Sequence, residues 1–221
     1  MASSLNASTS GGGGVIVTSD ATGNLNIQSG GSTVVAVTAT GATVTGTLAA
    51  TGAITGSSTV AGSTGILYPL TSGTAVASTS GTSIDFTGIP SWVKRITVMF
   101  QGVSTNGTSI VQVQLGYSGG VEVTGYVSSA FTSNTNNSTS TTGFLLGGGS
   151  GTTYARCGNA EICLMGSNLW CFSYSGGVAV AVSGEVGGGN KTTTGTLDRI
   201  RITTVNGTDT FDAGSINILY E

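Results

Sequence analysis

Few side chains in this 221-residue chain can do chemistry, and their types exclude most of it. There is no histidine among nine acidic and six basic residues. That removes a Ser-His-Asp triad and the commonest partner of both a zinc ion and a nucleophilic thiol. Cys157, Cys163 and Cys171 are odd in number and spaced C-x5-C-x7-C, which fits no zinc pattern. Their shared odd parity along a strand pair reads as three buried apolar thiols. Asp198, Asp209 and Asp212 are close enough in sequence to suggest the paired carboxylates of a glycosidase. Asp209 and Asp212 sit in turn-forming sequence, however, and Asp198 adjoins Arg199 and Arg201 as ready ion-pair partners. GEVGGGNKT looks like a phosphate cradle but lacks the G-x-x-x-x-G-K-[ST] spacing, so a turn is expected there. The expectation is a non-enzyme with no cofactor and no metal.

Side chains suited to adhesion are better represented. Tyr117 and Tyr126 flank Ser118 to Gly120, Phe131 precedes Asn134, Asn136 and Asn137, and Tyr154 neighbours Arg156. Aromatic and Arg anchors carry most binding energy at interfaces. Aromatic faces with amides suit a glycan, by stacking on apolar sugar faces and hydrogen-bonding the hydroxyls. The competing reading for each tyrosine is a core cap with its hydroxyl in water. Trp92 and Trp170 are assigned to the core.

The elements that must position these residues are strands. From Ile84 to Tyr117 apolar residues alternate strictly: Ile96, Val98 and Phe100, then Val111, Val113 and Leu115. A period of two marks a strand with one buried face. Asn106-Gly107 tolerates the positive φ of a tight turn, so a hairpin is predicted. A second hairpin is predicted over 197–221 around Asn206-Gly207. Gly166-Ser167-Asn168 separates two more runs, and 128–143 reads as a long polar loop. With no helix period anywhere, 84–221 is predicted to be a β-sandwich or jelly-roll-like knob.

Upstream, the chain reads as a flexible leader or adaptor over 1–14, a β-rich stalk over 15–65 and a neck over 66–83. Asp20 is the only charged side chain before Asp85. Val44, Leu48, Ile54 and Val60 fall on even positions among Thr, Ala and Gly. One thin chain cannot bury that stripe, whereas several identical chains wrapped together could, with Gly permitting close approach. A fibrous, homo-oligomeric β-stalk is therefore expected over a Gly/Thr linker.

Charged residues make up only 7% of the chain and the net charge is −3, which leaves no basic patch for a phosphate backbone. No nucleic-acid partner is expected. No apolar run approaches the ~20 residues of a membrane span, so no membrane insertion is expected. MASSLNASTSGGGG lacks the basic start and apolar segment of a signal peptide, so cytoplasmic synthesis and release by lysis are expected.

FTGIPSWVKRITVMFQGVSTNGTS and VNGTDTFDAGSINILYE resemble the C-terminal domain of many tailed-bacteriophage fibre or appendage proteins. GNLNIQSGGSTVVAVTATGATVTGTLAATGAITG is similar to the shafts that precede such domains. The resemblance implies a virion structural protein, usually a trimer, attached to other virion proteins through its N-terminus and presenting the knob outward. It supplies no catalytic residues. Two functions stay open: attachment to a host surface, with a surface glycan as the candidate partner, and capsid decoration or tail-joint cement without receptor binding.

Overall fold

A computed structural model describes residues 25–45, 60–62, 65–67, 70–133, 137–179 and 183–221. It is all-β: the described residues form antiparallel strands and no helix. The chain divides into two units, 1–59 and 60–221.

In the first unit β1 (Leu25–Ser29), β2 (Ser32–Thr38) and β3 (Gly41–Val44) form a meander. Gly30 and Gly31 turn the first pair with φ of 60° and 79°, where a Cβ would be strained. Leu25 lies opposite Val37, Ile27 opposite Val35, Val35 opposite Val44 and Val37 opposite Ala42. Directly paired residues share a face, so these six form one apolar side. Asn26, Ala36 and Thr43 lie on the other. The apolar side is open to solvent, with Ile27 52% exposed. Of the four expected stalk-core positions, Val44 is half-buried. Leu48 and Ile54 lie outside the described residues, and at Val60 the backbone alone is described.

The second unit begins with the paired strands β4 (Val60–Gly62) and β5 (Gly65–Leu67). It continues with β6 (Thr71–Ser72), β7 (Val76–Ala77), β8 (Ser83–Thr87), β9 (Arg95–Thr105), β10 (Val111–Tyr117) and β11 (Gly120–Val121). Then come β12 (Val127–Thr132), β13 (Asn137–Ser140), β14 (Phe144–Leu145), β15 (Arg156–Gly166) and β16 (Leu169–Val178). Last are β17 (Ser183–Thr192), β18 (Leu197–Thr204) and β19 (Phe211–Tyr220). One sheet has the order β11-β10-β18-β8, with β14 also on β10. The other has the order β13-β12-β17-β16-β15-β9-β19-β6, with β7 also on β19. Within the stretch expected as a neck, β6 and β7 therefore lie along β19.

Both sheets feed one hydrophobic core. Ile84, Val113 and Ile202 come from the smaller sheet, and Val98, Ile162, Phe172 and Ile216 from the larger. Phe144 of β14 stacks on Phe172 of β16 with centroids 4.6 Å apart, and meets Tyr126 edge-on at 5.0 Å. Each large apolar side chain so buried contributes about 1.5–3 kcal/mol.

Neither Asn-Gly turn makes the predicted hairpin. β9 pairs with β15 and β19, whereas β10 pairs with β18. Asn106-Gly107 and Asn206-Gly207 each carry the chain from one sheet to the other. Alternation specifies that a strand has one dry face. It is equally satisfied by a hairpin partner in the same sheet and by a partner facing it across the core. The hairpin at Ser167-Asn168 does form, with φ of 48° and 63° as a primed turn requires.

Two further expectations are corrected. GEVGGGNKT is strand β17, paired on both sides within the larger sheet. A Cβ on Gly187 would stand 2.3 Å from the Leu145 carbonyl oxygen, and one on Gly189 2.2 Å from that of Val127. These glycines permit close backbone approach and do not turn the chain. The supposed loop 128–143 is largely the β12–β13 hairpin, with Ser128 opposite Ser140 and Phe131 opposite Asn137.

Candidate functional site

Strand β12 alternates cleanly. Ser128, Ala130 and Thr132 are buried, which turns Val127, Ser129 and Phe131 outward. On its two neighbours Phe131 faces Val186 and Asn137, Ser129 faces Gly188 and Thr139, and Val127 faces Asn190. Three transverse rows result. Bulky rows at Phe131/Val186 and Val127/Asn190 wall a middle row of small residues. Phe131, Val186 and Val127 are 44%, 52% and 64% exposed. The walls are four residues apart, about 13 Å at the ~3.3 Å rise of a strand. A concavity of ≈ 590 Å³ lies on the Phe131 side, and a second adjoins it on the Val127 side. Both are lined by Ser129, Thr139 and Gly188, so they form one trough.

The trough offers an apolar ring face at Phe131, hydroxyls at Ser129 and Thr139, and an amide at Asn137. Among the described residues, none that lines it is charged. Its back is pinned by buried polar groups. Leu145 N donates to Ser128 Oγ at 2.9 Å, which ties β14 to β12. Thr132 Oγ1 donates to Glu185 Oε1 at 3.2 Å and accepts from Gly148 N at 2.9 Å. Ser138 Oγ donates to the Gly148 carbonyl at 2.7 Å, anchoring β13 to the same loop.

Of the expected contact residues, Phe131 and Asn137 come together in this trough. Arg156 does not: it is wholly buried, a correction. Its Nε donates to Glu185 Oε2 at 3.1 Å and its Nη2 to the Gly149 carbonyl at 2.8 Å. A buried guanidinium is tolerated only with such partners, and here it braces the loop behind the trough. Tyr154 is half-buried, its ring 5.5 Å from that guanidinium. Tyr126 is also buried and is corrected to a core residue. Its hydroxyl donates to the Glu122 carbonyl at 2.9 Å and accepts from Leu115 N at 2.6 Å. Burial pushes its phenol pKa up. Tyr117, half-buried, ends β10 in the smaller sheet. Asn134 and Asn136 lie outside the described residues. Sequence reasoning missed Val127, Ser129, Val186 and Gly188. The alternation of β12 holds a signal for the first two, whereas glycine-rich β17 reads as a turn in the sequence.

Beneath one end of the trough Lys191 Nζ lies 2.8 Å from Glu122 Oε2 and 5.4 Å from the centre of the Tyr126 ring. Burial pushes the Glu122 carboxyl up, but hydrogen bonds from Lys191 and Thr194 outweigh it and hold the pKa below the ordinary glutamate value.

The three aspartates serve separate local roles. Asp198 pairs with Arg199 at 2.7 Å, Asp209 accepts from Ser109 N at 2.8 Å, and Asp212 accepts from the Ser104 hydroxyl. The thiols are not buried: Cys157 is exposed, and Cys163 and Cys171 are half-buried opposite one another. They share one side of the strand pair, as their parity requires, but it is the outer side. Ala160, Ile162, Trp170, Phe172 and Tyr174 fill the core on the even positions. Partial burial, with the Glu161 carboxylate adding to it, pushes the Cys163 thiol pKa up. Among the described residues no group of three or more Cys, Asp or Glu could hold a metal ion, and no helix is long and apolar enough to cross a membrane.

No protein-family model, no curated protein and no solved structure matches this chain.

Proposed function

We propose that this chain is a structural appendage of a tailed-bacteriophage virion, a head or tail fibre that attaches the particle to its host. It works as a homotrimer and without catalysis. The leader docks to other virion proteins, a fibrous stalk follows, and the C-terminal knob presents the β12–β13–β17 face outward. The observation that carries attachment is the trough. A phenyl ring and two valines stand exposed beside hydroxyls and an amide, on a chain with only 7% charged residues. The one-sided apolar meander of 25–45 supports oligomerisation, because among the described residues no second layer covers Leu25, Ile27, Val35 and Val37. Similarity of the two C-terminal stretches to phage appendage domains points the same way.

The test is adsorption to host cells of particles carrying Phe131→Ala with Asn137→Ala. Oligomer mass is read in parallel by light scattering of the full chain at micromolar concentration. Loss of adsorption with a trimer intact is the expected result. Unchanged adsorption would move recognition elsewhere, and a monomer with an ordered meander would sink the trimer. In a capsid-decoration or tail-joint role, the same walls grip a virion protein. The double variant would then fail to join particles instead of failing to bind cells.

A further inference from the structure

Three glycines follow one another in β17, and only two have a packing reason to be there. Gly187 and Gly189 lie against backbone carbonyls that a Cβ would strike at 2.3 and 2.2 Å. A Cβ on Gly188 would meet only the Phe172 carbonyl, at 3.9 Å, an ordinary contact, and Gly188 has no positive φ. Glycine weakens a strand interior and leaves nothing to pack. What Gly188 does is keep the middle of the trough floor empty. The same row continues through small side chains: Thr139, Ser129, Gly188 and, opposite it on β16, Ser173. The next position in that row, on β15, is Glu161, which is exposed.

We infer that this row is the bed of an uncharged oligosaccharide that crosses the strands from β13 towards β15, with one ring against Phe131 and Gly188 beneath the chain. The inference rests on the reading of this face as the recognition surface and adds the ligand class and its path. Hydroxyls along the bed match sugar hydroxyls in both donating and accepting. Among the described residues no cation lines the trough, and Glu161 stands at the far end of the row. A uronate or sialate would therefore be desolvated there without a partner, and repelled at that end.

Gly188→Val fills the bed without touching the core, and Ser129→Val does so from β12. The full-length oligomer is tested against immobilised neutral hexose and deoxyhexose oligosaccharides and against uronate- and sialate-containing ones. Expected are binding of neutral members only and a loss of about tenfold or more in apparent affinity for both variants. Thermal stability and oligomer mass should be kept, since a β-branched residue suits an outward strand position. Binding confined to acidic members, no binding at all, or undiminished binding by both variants overturns the inference. Host adsorption separates the two levels. If Phe131→Ala abolishes it and both filled-bed variants adsorb normally, the surface stands and the bed is wrong. If none of the three affects it, both fall.

Discussion

Asp209 Oδ2 accepts a hydrogen bond from the backbone N–H of Ser109 at 2.8 Å, and through it the two Asn-Gly turns of the globular unit hold one another. Asn206 Nδ2 donates to Asp209 Oδ1 at 2.6 Å, and Asn206 N donates to Ser109 Oγ at 3.0 Å. On the other side Thr210 N donates to Asn106 Oδ1, and Asn106 N to the Thr210 carbonyl, both at 2.9 Å. A turn that crosses between sheets lacks the ladder of a hairpin, so side chains must satisfy its backbone.

Asp209→Ala leaves the Ser109 amide and the Asn206 side chain without their acceptor. A loss of about 1–3 kcal/mol is expected. Asp209→Asn, which keeps one acceptor oxygen, should lose less. Urea denaturation of both variants checks the order, and an alanine variant as stable as the parent would refute the role given to this carboxylate.

The buried Arg156–Glu185 pair should be costly to break and much less costly to replace. Arg156→Met or Glu185→Gln alone strands a buried polar or charged partner, and a loss of about 3–5 kcal/mol is expected. Combining Arg156→Met with Glu185→Met should lose clearly less than the sum of the two single methionine changes. A double-mutant cycle in urea measures this, and additivity would contradict the pairing.

The three consecutive glycines of β17 should respond differently to alanine. Gly187→Ala and Gly189→Ala force a methyl against a backbone carbonyl, and about 1–3 kcal/mol or more of destabilisation is expected. Gly188→Ala should stay within about 0.5 kcal/mol of the parent. Three thermal melts decide it, and equal losses would mean that β17 packs differently.

Glu122 makes a pH-dependent contribution with a definite sign. Its folded pKa lies below the ordinary 4.5 because the bonds from Lys191 and Thr194 outweigh burial. A depressed carboxylate stabilises above its unfolded pKa, and that stabilisation disappears as pH falls through the folded value. Glu122→Gln should thus melt below the parent at neutral pH, with the gap closing on acidification below about 4.5. Other carboxylates titrate in both proteins and cancel in the difference. A constant gap would show that Glu122 is not the titrating group.

Outer-face thiols should be chemically visible. Iodoacetamide at mildly alkaline pH should modify Cys157 before Cys163, whose thiol is partly buried and faces the Glu161 carboxylate. Replacing all three cysteines with serine should leave assembly intact and change stability by about 1 kcal/mol or less per site. Peptide mass mapping over a time course gives the order.

Alternation and turn chemistry made the class of fold legible. Ile96, Val98 and Phe100 could be assigned to a dry face from residue types alone, because a strand shows each face every second residue. Gly166-Ser167-Asn168 could be read as the break between two strand runs because turn-forming residues interrupt the alternation there. Phe131 and Asn137 stood out because exposed aromatic and amide groups are the residues that grip. Pairing was not legible. Val113 meets Ile202 and not a residue of β9, and nothing local distinguishes these, since a dry face is satisfied on either side of a core. Parity places the three thiols together, but the buried face that their apolar character suggests belongs to Phe172 and Tyr174, which fill the interior and leave the thiols on the outer side. The trough exists only in the assembled sheet. Val127, Gly188 and Thr139 are far apart in sequence, and strand register across three strands decides that two walls and a bare floor line up.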